Sequence, residues 1–229
     1  MQQSLHGPLR FHPQRSKKRW LLFPLHGHYC RPFHVEGSDR LSSLTGAVLI
    51  VANHASHVDT LSILRALPAS LRGRTAVAAA ADYFFASPML GRLASMALNA
   101  FAFSRSGNVA ASFGHCGELA DKGWSILIYP EGSRSPNGSL QPFKSGIGLL
   151  AVGLDLSVVP VGVTGGHDVL PKGARWPRHA PGAVSFGEAF RVDPVWPLER
   201  IVEEARARVP TFAAEGRGSA ARAGHRCLP

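Results

Sequence analysis

Apolar and polar positions change their period several times along the chain. Phe33-His34-Val35 alternates briefly before Gly37, and Ala47 to Ala52 is an uninterrupted apolar run closed by polar residues. Alternation marks a half-buried strand, and a short continuous run marks a strand covered on both faces. From Val58 to Leu67 the period lengthens, with Leu61, Leu64 and Leu67 at helical spacing until Pro68 stops the pattern. The stretch around residue 54 thus reads as strand, turn, helix. Further strand-like segments follow at Thr75 to Ala80, Ala100 to Phe103, Trp124 to Tyr129 and Ser157 to Val163, with an edge strand at Val184 to Phe186. Helices are expected after Ser87-Pro88, near Val109 to Asp121, at Ile147 to Leu154 and, closing the chain, at Leu198 to Ala214. Such alternation predicts an α/β fold, a sheet with helices on its faces and its chemistry in loops at strand ends.

The length of 229 residues with 45% hydrophobic content suits one domain with a substantial core, and no internal repeat breaks it up. We divide the chain into a basic and apolar N-terminal segment (1–32), a catalytic domain (33–214) and a disordered Ala/Gly/Arg tail (215–229).

Charge adds a partner class. The chain has 25 Lys and Arg against 15 Asp and Glu, a formal +10 that favours polyanions such as anionic lipid or nucleic acid. Arg10, Arg15, Lys17, Lys18 and Arg19 precede Trp20-Leu21-Leu22-Phe23-Pro24-Leu25 with no acid among them. A basic cluster joined to a short apolar patch suits a bilayer interface. A solvated tail followed by a core-packed turn accounts for it equally well. The patch is too short to span a bilayer and lacks a signal-type cleavage site. The expectation is peripheral or monotopic contact with an anionic membrane on its cytoplasmic face. Cys30, Cys116 and Cys227 form no disulfide framework or paired metal motif, which fits a reducing compartment.

Asn53-His54-Ala55-Ser56-His57-Val58-Asp59 places an imidazole at a strand exit and a carboxylate five residues on. A turn between them, with Ser56 as N-cap, can fold Asp59 back onto the ring of His54. Ser56 and Asp59 also resemble a capping box, and capping alone explains the acid. In the chemical reading, the carboxylate fixes the tautomer and leaves the other ring nitrogen as a general base for a hydroxyl. A second constellation, Tyr129-Pro130-Glu131-Gly132-Ser133-Arg134-Ser135, follows another apolar strand, and Phe143-Lys144-Ser145-Gly146 leads into the next helix. Gly132 admits close approach of a ligand to the backbone, and Arg134 can grip a phosphate. An ordinary turn with a surface Arg is the plainer alternative.

Taken in order, Asn53-His54-x-Ser56-x-x-Asp59, Phe103-x-Arg105, Pro130 to Ser135 and Val159-Pro160-Val161 resemble the four motifs of the lysophosphatidic acid acyltransferase family. The resemblance runs from about Phe33 to Phe190 and implies a mixed, mostly parallel sheet flanked by helices, the glycerolphosphate acyltransferase-like fold. It implies an O-acyltransferase of phospholipid biosynthesis that moves a fatty acyl group from an acyl thioester to a lysophospholipid hydroxyl. The leading acceptor is 1-acyl-glycerol-3-phosphate and the product phosphatidic acid. His54 would be the base and Asp59 its orienter. Arg105 and Arg134 would hold the acceptor phosphate, with Glu131, Gly132 and Ser133 shaping that site and Lys144 as a further contact. Asn53 and Ser56 would also belong to the substrate site, and Pro160 would line the acyl region. Acyl-CoA and acyl carrier protein are both open as donor carriers, and glycerol 3-phosphate or another lysophospholipid is open as acceptor. No metal and no cofactor is expected.

Other readings are weaker. No Gly-x-Ser-x-Gly elbow occurs, so a serine hydrolase is set aside. Gly146-Ile147-Gly148-Leu149-Leu150-Ala151 matches a loose dinucleotide fingerprint but follows a polar loop, so it reads as a helix start packed closely on the sheet. His26-x-His28-x-Cys30 lacks a second ligand pair. A nucleic-acid or anionic-surface binding module rests on the +10 charge alone, and no nucleic acid is expected.

Overall fold

The computed structural model describes residues 22–105 and 109–210, together with the backbone of 226–227. Its strands are β1 (Cys30–Glu36), β2 (Val48–Ala52), β3 (Thr75–Ala80), β4 (Ala100–Phe103), β5 (Ser125–Ile128), β6 (Ser157–Thr164), β7 (Ala180–Phe186) and β8 (Arg226–Cys227). The helices are α1 (Phe23–Tyr29), α2 (Val58–Ala66), α3 (Ala69–Arg72), α4 (Ala81–Phe84), α5 (Pro88–Leu98), α6 (Val109–Asp121), α7 (Gly146–Leu154), α8 (Gly166–Val169) and α9 (Leu198–Ala207). One sheet joins the strands in the order β4-β3-β5-β2-β6-β7-β1-β8. The five strands from β4 to β6 are mutually parallel, while β7 runs antiparallel to β6 and parallel to β1. The mixed, mostly parallel sheet expected from the sequence is therefore present.

Central β2 is buried along its whole length because both faces are covered. Val48, Ile50 and Ala52 enter a core with Ile63 and Leu64 of α2, while Leu49 and Val51 enter a second core with Cys116 of α6 and Ile147 and Leu150 of α7. Parallel pairing puts the C-terminal ends of β2, β3, β4, β5 and β6 along one edge. The loops carrying His54, Asp82, Arg105, Glu131 and Gly166 all leave from that edge, where ligands bind in sheets of this type.

Several elements differ from expectation. The sheet begins at Cys30, three residues ahead of the visible alternation, and α1 packs on α2 with His26 buried against Ser62. Of the apolar patch that precedes His26, Phe23 packs against the core while Pro24 and Leu25 are exposed. Residues 1–21, which carry the basic cluster, lie outside the described residues, as does most of 215–229. Strand β7 is no edge strand. It lies between β6 and β1 and begins at Ala180, its first residues disguised by Pro181 and Gly182. Helix α9 ends at Ala207, shortly before Pro210, and 211–225 lie outside the described residues. The small-residue start of α7 packs on the sheet through Ile147 and on α9 through Gly148, where a Cβ would stand 2.5 Å from Leu198 Cδ1. Among the described residues no helix is long and apolar enough to cross a membrane.

Candidate active site

The site is built around one carboxylate oxygen. Asp59, in the first turn of α2 and 1% exposed, turns Oδ2 back toward the strand exit. That oxygen accepts the backbone N–H groups of Ala55 and Ser56, each at 2.7 Å, and lies 3.0 Å from His54 Nδ1. A carboxylate oxygen that already receives two amide protons acts as an acceptor, so the third proton belongs to Nδ1. Nε2 is then the nitrogen with the lone pair, and no hydrogen bond occupies it among the described residues. The two roles considered for Asp59 are combined in a single oxygen, which both caps the turn and orients the imidazole.

The ring and backbone of His54 are fixed from other sides. Tyr129 stacks on the imidazole, ring centroids 4.0 Å apart and planes 18° from parallel, and shares a 2.8 Å hydrogen bond with Thr60 of α2. Burial, followed by the nearby Asp59 charge, pushes the Tyr129 phenol above its ordinary range and keeps it neutral. Glu131 Oε1 accepts the His54 N–H at 2.8 Å, and the Ser135 N–H donates to the His54 carbonyl at 2.7 Å. The Glu131 to Ser135 loop is thereby clamped onto the His54 strand exit. Glu131 is buried with Oε2 unpaired, and desolvation raises its carboxyl to about 7 against the weaker opposing pull of the His54 N–H.

Cationic side chains gather at Gly132, in the loop clamped onto the His54 strand exit. Gly132 occupies a left-handed conformation (φ +74°) open to glycine, and the side chain of Lys144 crosses it, Cε 2.6 Å from where a Cβ would stand. Arg105, at the exit of β4, donates from one guanidinium nitrogen to the Gly132 carbonyl and from the other to Asp82 of α4. Arg134 forms no hydrogen bond or ion pair among the described residues, and Ser133 is exposed beside it. Desolvation, followed by the charge of Arg134, lowers His57 to about 4, so His57 is neutral near pH 7.

Two expected substrate contacts serve the backbone instead, and a third, Pro160, lies within a strand. The amide of Asn53 is committed to β6, donating to the Val163 carbonyl at 2.9 Å and accepting the Val163 N–H at 2.7 Å. Ser56 is completely buried, donates to the Leu170 carbonyl at 2.7 Å and yields the N-cap position to His57. Both residues hold the loop rather than face a ligand. Pro160 lies within β6, paired with Val51 and in contact with Gly187 beneath the Arg208 to Pro210 segment. This places it on the sheet face opposite α2.

Residues not singled out in the sequence complete the site. Gly166, first in α8, approaches so closely that a Cβ would sit 1.9 Å from Asp59 Oδ1. Tyr83 is 3.4 Å from His57 Nε2, and its ring stacks on the imidazole. A polar cleft of about 200 Å³ opens beside Ala55, lined also by Gly138, Thr164, Gly166, His167 and Asp168. Among the described residues no cluster of three His, Cys, Asp or Glu side chains is arranged to hold a metal.

Comparison with known proteins matches this architecture. The 1-acyl-sn-glycerol-3-phosphate acyltransferase of Limnanthes alba is 30% identical over 177 residues, 76% of this chain and 59% of that protein. The enzyme of the same name from Cocos nucifera is 34% identical over 174 residues, covering 74% and 53%. The chain thus spans somewhat more than half the length of these relatives. The crystal structure of the 1-acyl-sn-glycerophosphate (LPA) acyltransferase from Thermotoga maritima superposes with a TM-score of 0.64 over 86% of this chain and 80% of that one, at 20% identity, and shows the same fold. The family model described as Acyltransferase matches residues 32–164, more than half of the sequence and all of the loops that carry His54, Asp59, Arg105 and Glu131 to Arg134. The chain belongs to the acyltransferase family.

Proposed function

We propose that this protein transfers a fatty acyl group from an acyl thioester to the free hydroxyl of a 1-acyl-glycerol-3-phosphate, forming phosphatidic acid. The observation that carries the reading is the His54 and Asp59 pair, with Nε2 unoccupied, at the same sheet edge as Arg105, Arg134 and Lys144. His54 Nε2 takes the hydroxyl proton as that oxygen attacks the thioester carbonyl. The tetrahedral intermediate collapses to ester and thiolate, and the imidazolium can return its proton to sulfur. A thiol pKa of about 8.5 makes the thiolate an adequate leaving group without a covalent acyl-enzyme. Asp59 keeps the ring in its working tautomer, and Tyr129 prevents it from swinging away. Arg134 and Lys144 supply charge for the acceptor phosphate, and Arg105, already paired with Asp82, contributes its remaining N–H groups. An acceptor of this kind resides in a bilayer, so we place the reaction at a membrane surface, and the buried thiols of Cys30 and Cys116 suit its cytoplasmic face.

The test uses purified protein, labelled acyl-CoA or acyl carrier protein, and a panel containing 1-acyl-glycerol-3-phosphate, glycerol 3-phosphate and lysophosphatidylcholine. His54→Ala should lower kcat by about 10² to 10⁴, the scale of general-base catalysis, with the fold intact by circular dichroism. Arg134→Ala should raise the acceptor KM more than it lowers kcat. Near-normal turnover in His54→Ala would remove the base assignment, and transfer only to lysophosphatidylcholine, whose phosphate is a zwitterionic choline diester, would remove the phosphomonoester site.

A further inference from the structure

Helix α5 is amphipathic in the reverse sense. Its small residues Gly91 and Ala94 are buried, and a Cβ on Gly91 would stand 2.8 Å from the ring of Phe85. The large apolar residues face outward: Met89 is 72% exposed, Leu93 51%, Met96 46% and Leu90 39%. Positions 89, 93 and 96 share one stripe at i, i+4 and i+7, the spacing by which a helix usually buries its core face. Tyr83, 51% exposed, extends this apolar surface along α4 to His57 and hence to the catalytic edge. From Tyr83 to Gly117 the chain contains Arg92 and Arg105 and no Asp or Glu, and Asp82, next to Tyr83 on α4, is paired with Arg105. Arg92 is exposed on α5, at the border of the stripe.

We propose that this face of α5 is a bilayer-docking surface, lying in the headgroup layer of an anionic membrane with Met89, Leu93 and Met96 among the upper acyl carbons. The inference rests on the proposed function in one respect, that a lipid acceptor must reach His54 from a bilayer. Its occupant is identified by chemistry. Unbranched methionine adapts to a fluid surface, arginine at the rim pairs with lipid phosphate while its stem lies on apolar carbon, and the absence of acids on α5 removes repulsion from anionic headgroups. Docking by this face also sets the sheet edge bearing His54 and Arg134 near the headgroups, so an acceptor need not leave the membrane completely.

The experiment compares the full chain with the triple variant Met89→Ser, Leu93→Ser, Met96→Ser in sedimentation with phosphatidylcholine and phosphatidylglycerol vesicles. It is run at about 1 M salt, where charge interactions reach only about 3 Å and contributions from basic segments fade. The variant should bind at least about tenfold more weakly, since burying one such side chain is equivalent to more than a factor of ten. Transfer to an acceptor presented in vesicles should fall in parallel, and transfer to a short-chain soluble acceptor should not. His54→Ala, by contrast, should bind vesicles like the unaltered chain, so loss of the catalytic reading and loss of the docking reading are separate outcomes. Equal vesicle binding by the triple variant overturns the proposal. So does a change from dimer to monomer without vesicles, which assigns the face to a second copy.

Discussion

A single oxygen, Asp59 Oδ2, decides how the imidazole works, because it joins the turn's amide groups to the ring nitrogen. Any displacement of that carboxylate turns the ring as well as loosening the helix start. Gly166 offers a test from outside the motif. A methyl group there would stand 1.9 Å from Asp59 Oδ1, closer than any side chain can remain. In steady-state kinetics Gly166→Ala should lower kcat by about 10², part of the general-base contribution, with the acceptor KM little changed. A raised KM at unchanged kcat would show that the glycine serves the acceptor instead. At this scale the spacing of His54 and Asp59 was legible in the sequence, since a five-residue turn is local. Asn53 and Ser56 were misread because an amide and a hydroxyl serve backbone and ligand equally well. Only their partners, Val163 and Leu170, distinguish the two uses.

Elements meet where side chains are small enough to let them. In β6 the Cα of Gly162 faces the segment after α9, and a Cβ would lie 1.9 Å from the Pro210 carbonyl oxygen, a backbone atom that cannot swing aside. Gly162→Ala should destabilise the protein by about 1 to 3 kcal/mol, the usual cost of overpacking, lowering Tm by about 2–4 °C for each kcal/mol at this chain length. Gly114, inside α6, has no atom within 4 Å of its Cβ position. There the same substitution should stabilise by up to about 1 kcal/mol through helix propensity. Thermal melts of the two variants should shift in opposite directions, and a common direction would refute the packing argument. Apolar periodicity located β2, β4 and α6 well, because each is long or pure enough to show its period. It misplaced β7 as an edge and lengthened α9, since strand order and helix end depend on neighbours distant in the chain.

Across the whole molecule, buried titratable groups set the response to acid. His26 is 3% exposed, lowered to about 4 by desolvation and then by Arg65. Arg65 donates to Nδ1, and Nε2 donates to Ser62, so the neutral ring is fully paired. Its folded pKa lies below the unfolded 6.5, so its stabilising contribution is complete above pH 6.5 and is lost as pH falls toward 4. His57 acts in the same sense. Glu131 opposes them: its carboxyl, raised from 4.5 to about 7, favours the folded state most below pH 4.5 and loses that contribution as pH rises through 7. His26→Gln should flatten the acid limb, recovering about 2–3 kcal/mol of the stability lost between pH 7 and pH 4, as measured by urea unfolding at both values. An unchanged pH dependence would place the acid-sensitive group elsewhere.

The sequence by itself determined the α/β class, the strand-end loops and the residue types at the site, because these depend on local periodicity and short spacings. Tertiary structure alone decided which polar groups remain free for chemistry and which are spent on backbone. It also brought Tyr129 and Gly166 to the His54 pair and turned the apolar side of α5 outward. Those outcomes depend on which distant segments share the space around a residue, and no local pattern carries that information.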